Sequence, residues 1–113
     1  MEKIVQQGLL YDFYGELLTD HQKQIYEDAV FNDLSLSEIA QERGISRQGV
    51  HDIIKRCDKA LDEYEEKLQL VHKFLETKKM VQEIHCLTKE YLEHKDISLI
   101  HRIEKISDEI IDL

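Results

Sequence analysis

The sequence predicts an all-α protein: a helix-turn-helix bundle, then a long helix and a C-terminal helical extension. Three observations carry this. The 113 residues hold no proline and only four glycines, so little interrupts a helix. Apolar residues recur at helical spacing, and no run of four or more alternates with β-branched enrichment, so neither a strand nor a wing is expected. The stretch 34-LSLSEIAQERGISRQGVHDIIKR-56 has the small residue, turn glycine and apolar positions of a helix-turn-helix.

The first helix is expected over about residues 3–18. Its apolar set is Ile4, Val5, Leu9, Leu10, Phe13, Tyr14, Leu17 and Leu18, grouped on one side. Thr19 is a good N-cap for a second helix, and Gln22 stands at the capping-box position. That helix is expected to bury Ile25, Tyr26, Ala29 and either Val30 or Phe31, and to end near Asn32-Asp33. Ser35 with Glu38 opens the third helix, which turns Ile39 and Ala40 inward and stops at Gly44, a residue suited to positive φ. Ser46 caps the fourth.

The fourth helix has no obvious stop. Val50, Ile54, Cys57, Leu61, Tyr64, Leu68, Val71 and Leu75 follow one another at spacings of 4, 3, 4, 3, 4, 3 and 4. This is a heptad seam. Lys78 ends it, and a shifted stripe of Val81, Ile84, Leu87 and Tyr91 takes over. A break near Thr77–Lys79 accounts for the phase change; one continuous helix with a rotating face is the alternative. Asp96 or Ser98 caps a last helix carrying Leu99, Ile103, Ile106, Ile110 and Leu113. The organisation is then a helical domain over 1–60, with the helix-turn-helix at 35–56, and an acidic extension over 61–113. A single continuous domain is the other possibility.

Charge separates these regions. Residues 1–34 hold two Lys/Arg and seven Asp/Glu, residues 35–60 five and four, and residues 61–113 eight and thirteen. The motif is the one region that is not acidic in a chain of net charge −9. Phosphate contacts supply much of the affinity of a DNA binder, which usually shows a clear basic face; the motif, at a net of +1, carries only a weak form of that signal. Within the motif, Ile39, Ala40, Gly44, Ile45, Val50 and Ile53 fill the packing positions. The groove-facing positions are Arg47, Gln48, His51, Asp52 and Lys55. Arg matches guanine O6 and N7, and Gln matches adenine. Asp52 is unfavourable near phosphate but can accept from cytosine N4. Ser46 and the amides around it suit a phosphate, and Arg43, Lys55 and Arg56 would flank the backbone.

The seam over Leu61, Tyr64, Leu68, Val71 and Leu75 requires a cover. A helix of about 26 residues is about 39 Å long, more than a chain of this size spans when compact. A homodimer is the simplest cover, with an intramolecular bundle against the last helix as the alternative. No phosphate loop, HExxH or CxxC is present, so the chain is expected to be a non-enzyme without cofactor or metal. Cys57 and Cys86 show no pairing pattern and are expected as reduced thiols, Cys57 as a small core residue. The N-terminus does not resemble a signal peptide and no stretch is long enough for a membrane span, so a cytoplasmic location is expected.

Residues 18–61 resemble the fourth region of bacterial sigma factors. The likeness rests on Leu18-Thr19 with Gln22, Asp33-Leu34-Ser35, Glu38-Ile39-Ala40, and Gly44-Ile45-Ser46 with Val50. Unlike a sigma fragment, the chain continues for roughly fifty acidic, helix-forming residues. Over nearly its whole length it resembles the YlxM-like proteins of Gram-positive bacteria and mycoplasmas. YDFYGELLTDHQ, SLSEIA, GISRQGVHD and the chain length carry that likeness. Genes of that family typically neighbour those for the signal recognition particle GTPase and its receptor. The resemblance thus implies a regulatory part in that pathway. Two functions follow as expectations: a DNA-binding (or RNA-binding) regulator, or an adaptor whose acidic helices bind a basic partner such as a signal recognition particle protein.

Overall fold

The computed structural model describes all 113 residues, as six α-helices and one 3-10 turn with no strand. The helices are α1 (Lys3–Tyr14), α2 (Asp20–Val30), α3 (Leu36–Arg43), α4 (Arg47–Leu68), α5 (Leu70–His94) and α6 (Ile97–Ile111). The all-α class is as the sequence predicts. The chain divides into two compact units, Met1–Val71 and His72–Leu113. No helix is long and apolar enough to cross a membrane.

In the first unit, local signals set most boundaries. Thr19 and Gln22 form a reciprocal capping box, as do Ser35 and Glu38. Gly44 closes α3 at φ 67, a conformation that residues with a side chain rarely adopt, and Ser46 caps α4. Around these turns Ile25, Ile39 and Val50 are fully buried, with Ala29, Leu34, Leu36, Ala40, Ile45, Ile53 and Ile54 packed about them. Full burial of Ile25, Ile39 and Val50 contributes about 1.5–3 kcal/mol each. This core fixes α3 against α4.

The first helix is shorter than expected. It ends at Tyr14 and tightens into a 3-10 turn over Gly15–Leu17. The apolar set divides accordingly: Leu10, Tyr14 and Leu18 are buried, whereas Ile4, Val5, Phe13 and Leu17 are exposed. Polar side chains reinforce the packing of α1. Gln7 Nε2 and Tyr26 Oη both donate to Asp58 Oδ1, at 2.9 and 2.6 Å. Tyr11 donates to Glu27 and stacks on Tyr26 with ring centres 5.7 Å apart.

The break expected near Thr77–Lys79 lies elsewhere. α5 runs through those residues without interruption, and α4 stops at Leu68. Gln69 takes the left-handed conformation at φ 56 and its amide donates to the Glu65 and Glu66 carbonyls. The cause is tertiary. Tyr14 Oη donates to Glu65 Oε1 at 2.5 Å and accepts the Leu70 N–H at 3.1 Å; the same carboxylate oxygen accepts the Val71 N–H at 3.0 Å. Two N–H groups at the start of α5 thereby gain acceptors that a continuing helix would not use. The single helix expected across the heptad seam is therefore two helices.

In the second unit, α5 and α6 pair through Leu87, Leu99 and Ile106, with Met80, Ile84, Tyr91, Ile103 and Ile110 packed against them. Asp96 caps α6, accepting from the Ser98 N–H at 3.0 Å and hydroxyl at 2.8 Å.

Candidate nucleic-acid interface

The first turns of α4 form the centre of the site. Ser46 Oγ accepts the Gly49 N–H at 2.9 Å, which pins the start of the helix. A Cβ at Gly49 would approach that oxygen to 3.1 Å, so glycine leaves the cap undisturbed. Arg47 and Gln48 follow and are both exposed. With Leu36 and His51 they line an open hollow of about 530 Å³. His51 is half-buried, and its Nδ1 is buried without a hydrogen-bond partner, 3.8 Å from Asp52 Oδ1. Gln48 Nε2 donates to Asp52 Oδ1 at 2.9 Å.

Lys55 and Arg56 are exposed further along α4. Lys55 stands with Lys3 and Lys59 beside a second groove of about 450 Å³ between α1 and α4. Asp58, Asp62, Glu63 and Glu66 line the same groove, so its charge is mixed. Neither Lys3 nor Lys59 was singled out from the sequence. Lys59 had a legible signal, since it lies one turn beyond Lys55. Lys3 had none, because only the packing of α1 on α4 brings it there.

Arg43 is placed differently from the expectation that it flanks the DNA backbone. Its Nη2 pairs with Asp28 Oδ2 at 2.9 Å and its Nη1 donates to Gln24 Oε1 at 3.0 Å. Both partners lie on α2, so Arg43 ties α3 to α2 and its charge is compensated. Asp28 is buried, and the Arg43 hydrogen bond holds its carboxyl below the usual range, with Asn32 adding to that and burial opposing it.

The seam residues separate. Leu61 and Val71 are buried, Tyr64 is half-buried with its ring 6.1 Å from that of Tyr14, Leu75 is half-buried, and Leu68 is exposed. Cys57 is buried, as expected of a core thiol, and burial pushes its pKa up to about 11. Cys86 is exposed.

The comparisons agree with this geometry. UPF0122, described as helix-turn-helix, YlxM / p13 like, matches residues 1–106. A UPF0122 protein of Acetivibrio thermocellus is 42% identical over 116 residues, covering 99% of this chain and 99% of its own. The UPF0122 protein YlxM of Bacillus subtilis is 42% identical over 107 residues, covering 94% and 97%. A UPF0122 protein of a Thermoanaerobacter species is 43% identical over 106 residues, covering 93% and 91%. With a helix-turn-helix core in place and a match that spans nearly its full length, the chain belongs to the UPF0122 family of YlxM / p13 like helix-turn-helix proteins.

Proposed function

We propose that the protein is a DNA-binding regulator that docks the start of α4 in the major groove. The observation that carries this is the presentation of Arg47 and Gln48. They stand exposed on the first turn of α4, beyond a buried core that fixes the angle between α3 and α4. Ser46 and the α4 amides would meet a phosphate, and Lys55, Arg56 and Lys59 would follow the backbone. With Arg43 committed to Asp28, the phosphate contacts are few. Binding is then weak and sensitive to salt. The protein acts by binding, not by catalysis, and works in the cytoplasm.

A homodimer belongs to this reading, because two copies can engage two half-sites. Phe74 and Val81 support it: they lie seven residues apart on α5 and both are exposed. The resemblance to YlxM-like proteins adds the signal recognition particle pathway as the setting; its support is the gene neighbourhood typical of that family.

A titration of full-length protein against labelled duplex DNA at rising salt tests the reading. Binding should weaken with a slope of about −0.9 per neutralised phosphate, and a combined Arg47→Ala, Lys55→Ala variant should abolish it. No binding even at low salt refutes it. That result favours an adaptor instead, in which Asp62, Glu63 and Glu66 meet a basic partner.

A further inference from the structure

We propose that Gln48 and Asp52 work as one unit that reads an adenine, with Asp52 as the positioning residue. This rests on the DNA-binding reading above. Successive residues of a helix are about 100° apart. On α4 the inward stripe is Val50, Ile54, Cys57 and Leu61, of which Val50, Cys57 and Leu61 are fully buried. By the same spacing Gln48, Asp52, Lys55 and Lys59 lie on the opposite side. The Gln48–Asp52 pair therefore sits at the middle of the outward face.

An acidic residue at the middle of a face meant for phosphate-rich DNA is a cost that needs a reason. The hydrogen bond supplies one. An ionised carboxylate only accepts, whereas a glutamine amide has both an accepting oxygen and two donating hydrogens. With Asp52 Oδ1 taking one hydrogen of Gln48 Nε2 at 2.9 Å, the amide cannot turn over without setting two oxygens against each other. Its carbonyl oxygen and its second N–H remain. These match the adenine edge in the major groove, where N6 donates and N7 accepts. Asp52 thus removes the flipped amide orientation, which does not fit adenine. Arg47, one residue earlier, has only donors and suits a guanine beside that adenine.

The inference separates affinity from discrimination, and Asp52→Asn is the variant that shows it. Asparagine removes the negative charge and can donate or accept, so it no longer dictates the orientation of Gln48. Duplexes with a randomised central segment are selected with the full-length protein. The best site is then remade with each of the four base pairs at each position. The wild-type protein should favour one A·T pair about tenfold or more over its replacements. Gln48→Ala should bring that ratio close to one. Asp52→Asn should also collapse it, while binding unrelated duplexes more tightly than the wild type. Asp52→Ala should behave in the same way, and far-ultraviolet circular dichroism checks that each variant is folded. A tighter-binding Asp52→Asn protein that still discriminates at that pair overturns the inference, since Asp52 would then act through charge alone. So does a selected site with no preferred A·T pair. Absence of binding to every duplex at low salt is a different outcome: it overturns the DNA-binding reading itself and the inference with it.

Discussion

Replacing Tyr14 with phenylalanine keeps a buried ring and removes one oxygen. That oxygen donates to Glu65 and accepts the Leu70 N–H. Burial raises the pKa of the Tyr14 hydroxyl, so it remains a proton donor at neutral pH. A hydrogen bond to a charged acceptor contributes about 1.5–3 kcal/mol. The Leu70 N–H also loses its acceptor, but Leu70 is exposed and water can replace part of it. The Val71 N–H keeps the Glu65 carboxylate. The expected loss is about 2–3 kcal/mol. With a urea slope of about 1–3 kcal/mol per molar, the unfolding midpoint followed by circular dichroism should fall by roughly 0.7–3 M. Amide exchange at Leu70 should quicken together with the drop in stability. A loss below about 0.5 kcal/mol, with exchange at Leu70 unchanged, would refute the assignment of this oxygen as the tie that ends α4.

Gly44→Ala should destabilise by about 1–2 kcal/mol, because an L-residue is strained at φ 67. A Cβ there meets nothing within 4 Å, so no clash adds to it; Gly44→Asn should recover part of the loss in the same thermal melt. Arg43→Ala should lower the melting temperature by several degrees, since it strands the buried Asp28 carboxylate; a melt as high as the wild type argues that the pair is dispensable. Asp28 carries a pH signature. Its folded pKa is depressed, so its contribution is present above the unfolded value of about 4 and is lost as pH falls through the folded one. Asp28→Asn should lack that acid-side component in melts taken across pH 2–6. In the folded protein one thiol should react with a thiol reagent at pH 8, Cys86, and Cys57 only after denaturant is added; two rapid equivalents would contradict the burial of Cys57.

The features legible in the sequence were those written locally. The capping pairs Thr19–Gln22 and Ser35–Glu38, the turn at Gly44 and the cap at Ser46 each need only neighbouring residues. The core positions Ile25, Ile39 and Val50 followed from helical spacing. The end of α4 was hidden because no glycine or proline marks it. The joints at Gln69 and Lys95 use positive φ at residues that carry no such signal, whereas Asp33 does so where the helix was expected to end, in a residue type that tolerates that conformation. At Gln69 the deciding partner is Tyr14, far away in sequence. In the interface, Arg47 and Gln48 were legible as exposed first-turn residues, whereas the commitment of Arg43 to Asp28 was not. Pairing between side chains on different helices depends on packing, which periodicity does not encode.

The reach of Tyr14 also sets an order of events during synthesis. Its partners Glu65 and Leu70 lie 51 and 56 residues later, and Asp58 lies 51 residues after Gln7. The residues that close the helix-turn-helix core, Ile25 to Val50, are all present before either of those ties can form. The first helix to leave the ribosome can meet α2 early, through Tyr11 on Tyr26 and Glu27, but its ties to α4 come last, because long-range contacts wait for their loop to close. A nascent chain that stops short of Glu65 already contains the whole reading turn but cannot hold α1 by the Tyr14 tie. Emergence of Glu65 to Val71, rather than completion of the motif, is the point at which the Tyr14 tie can form.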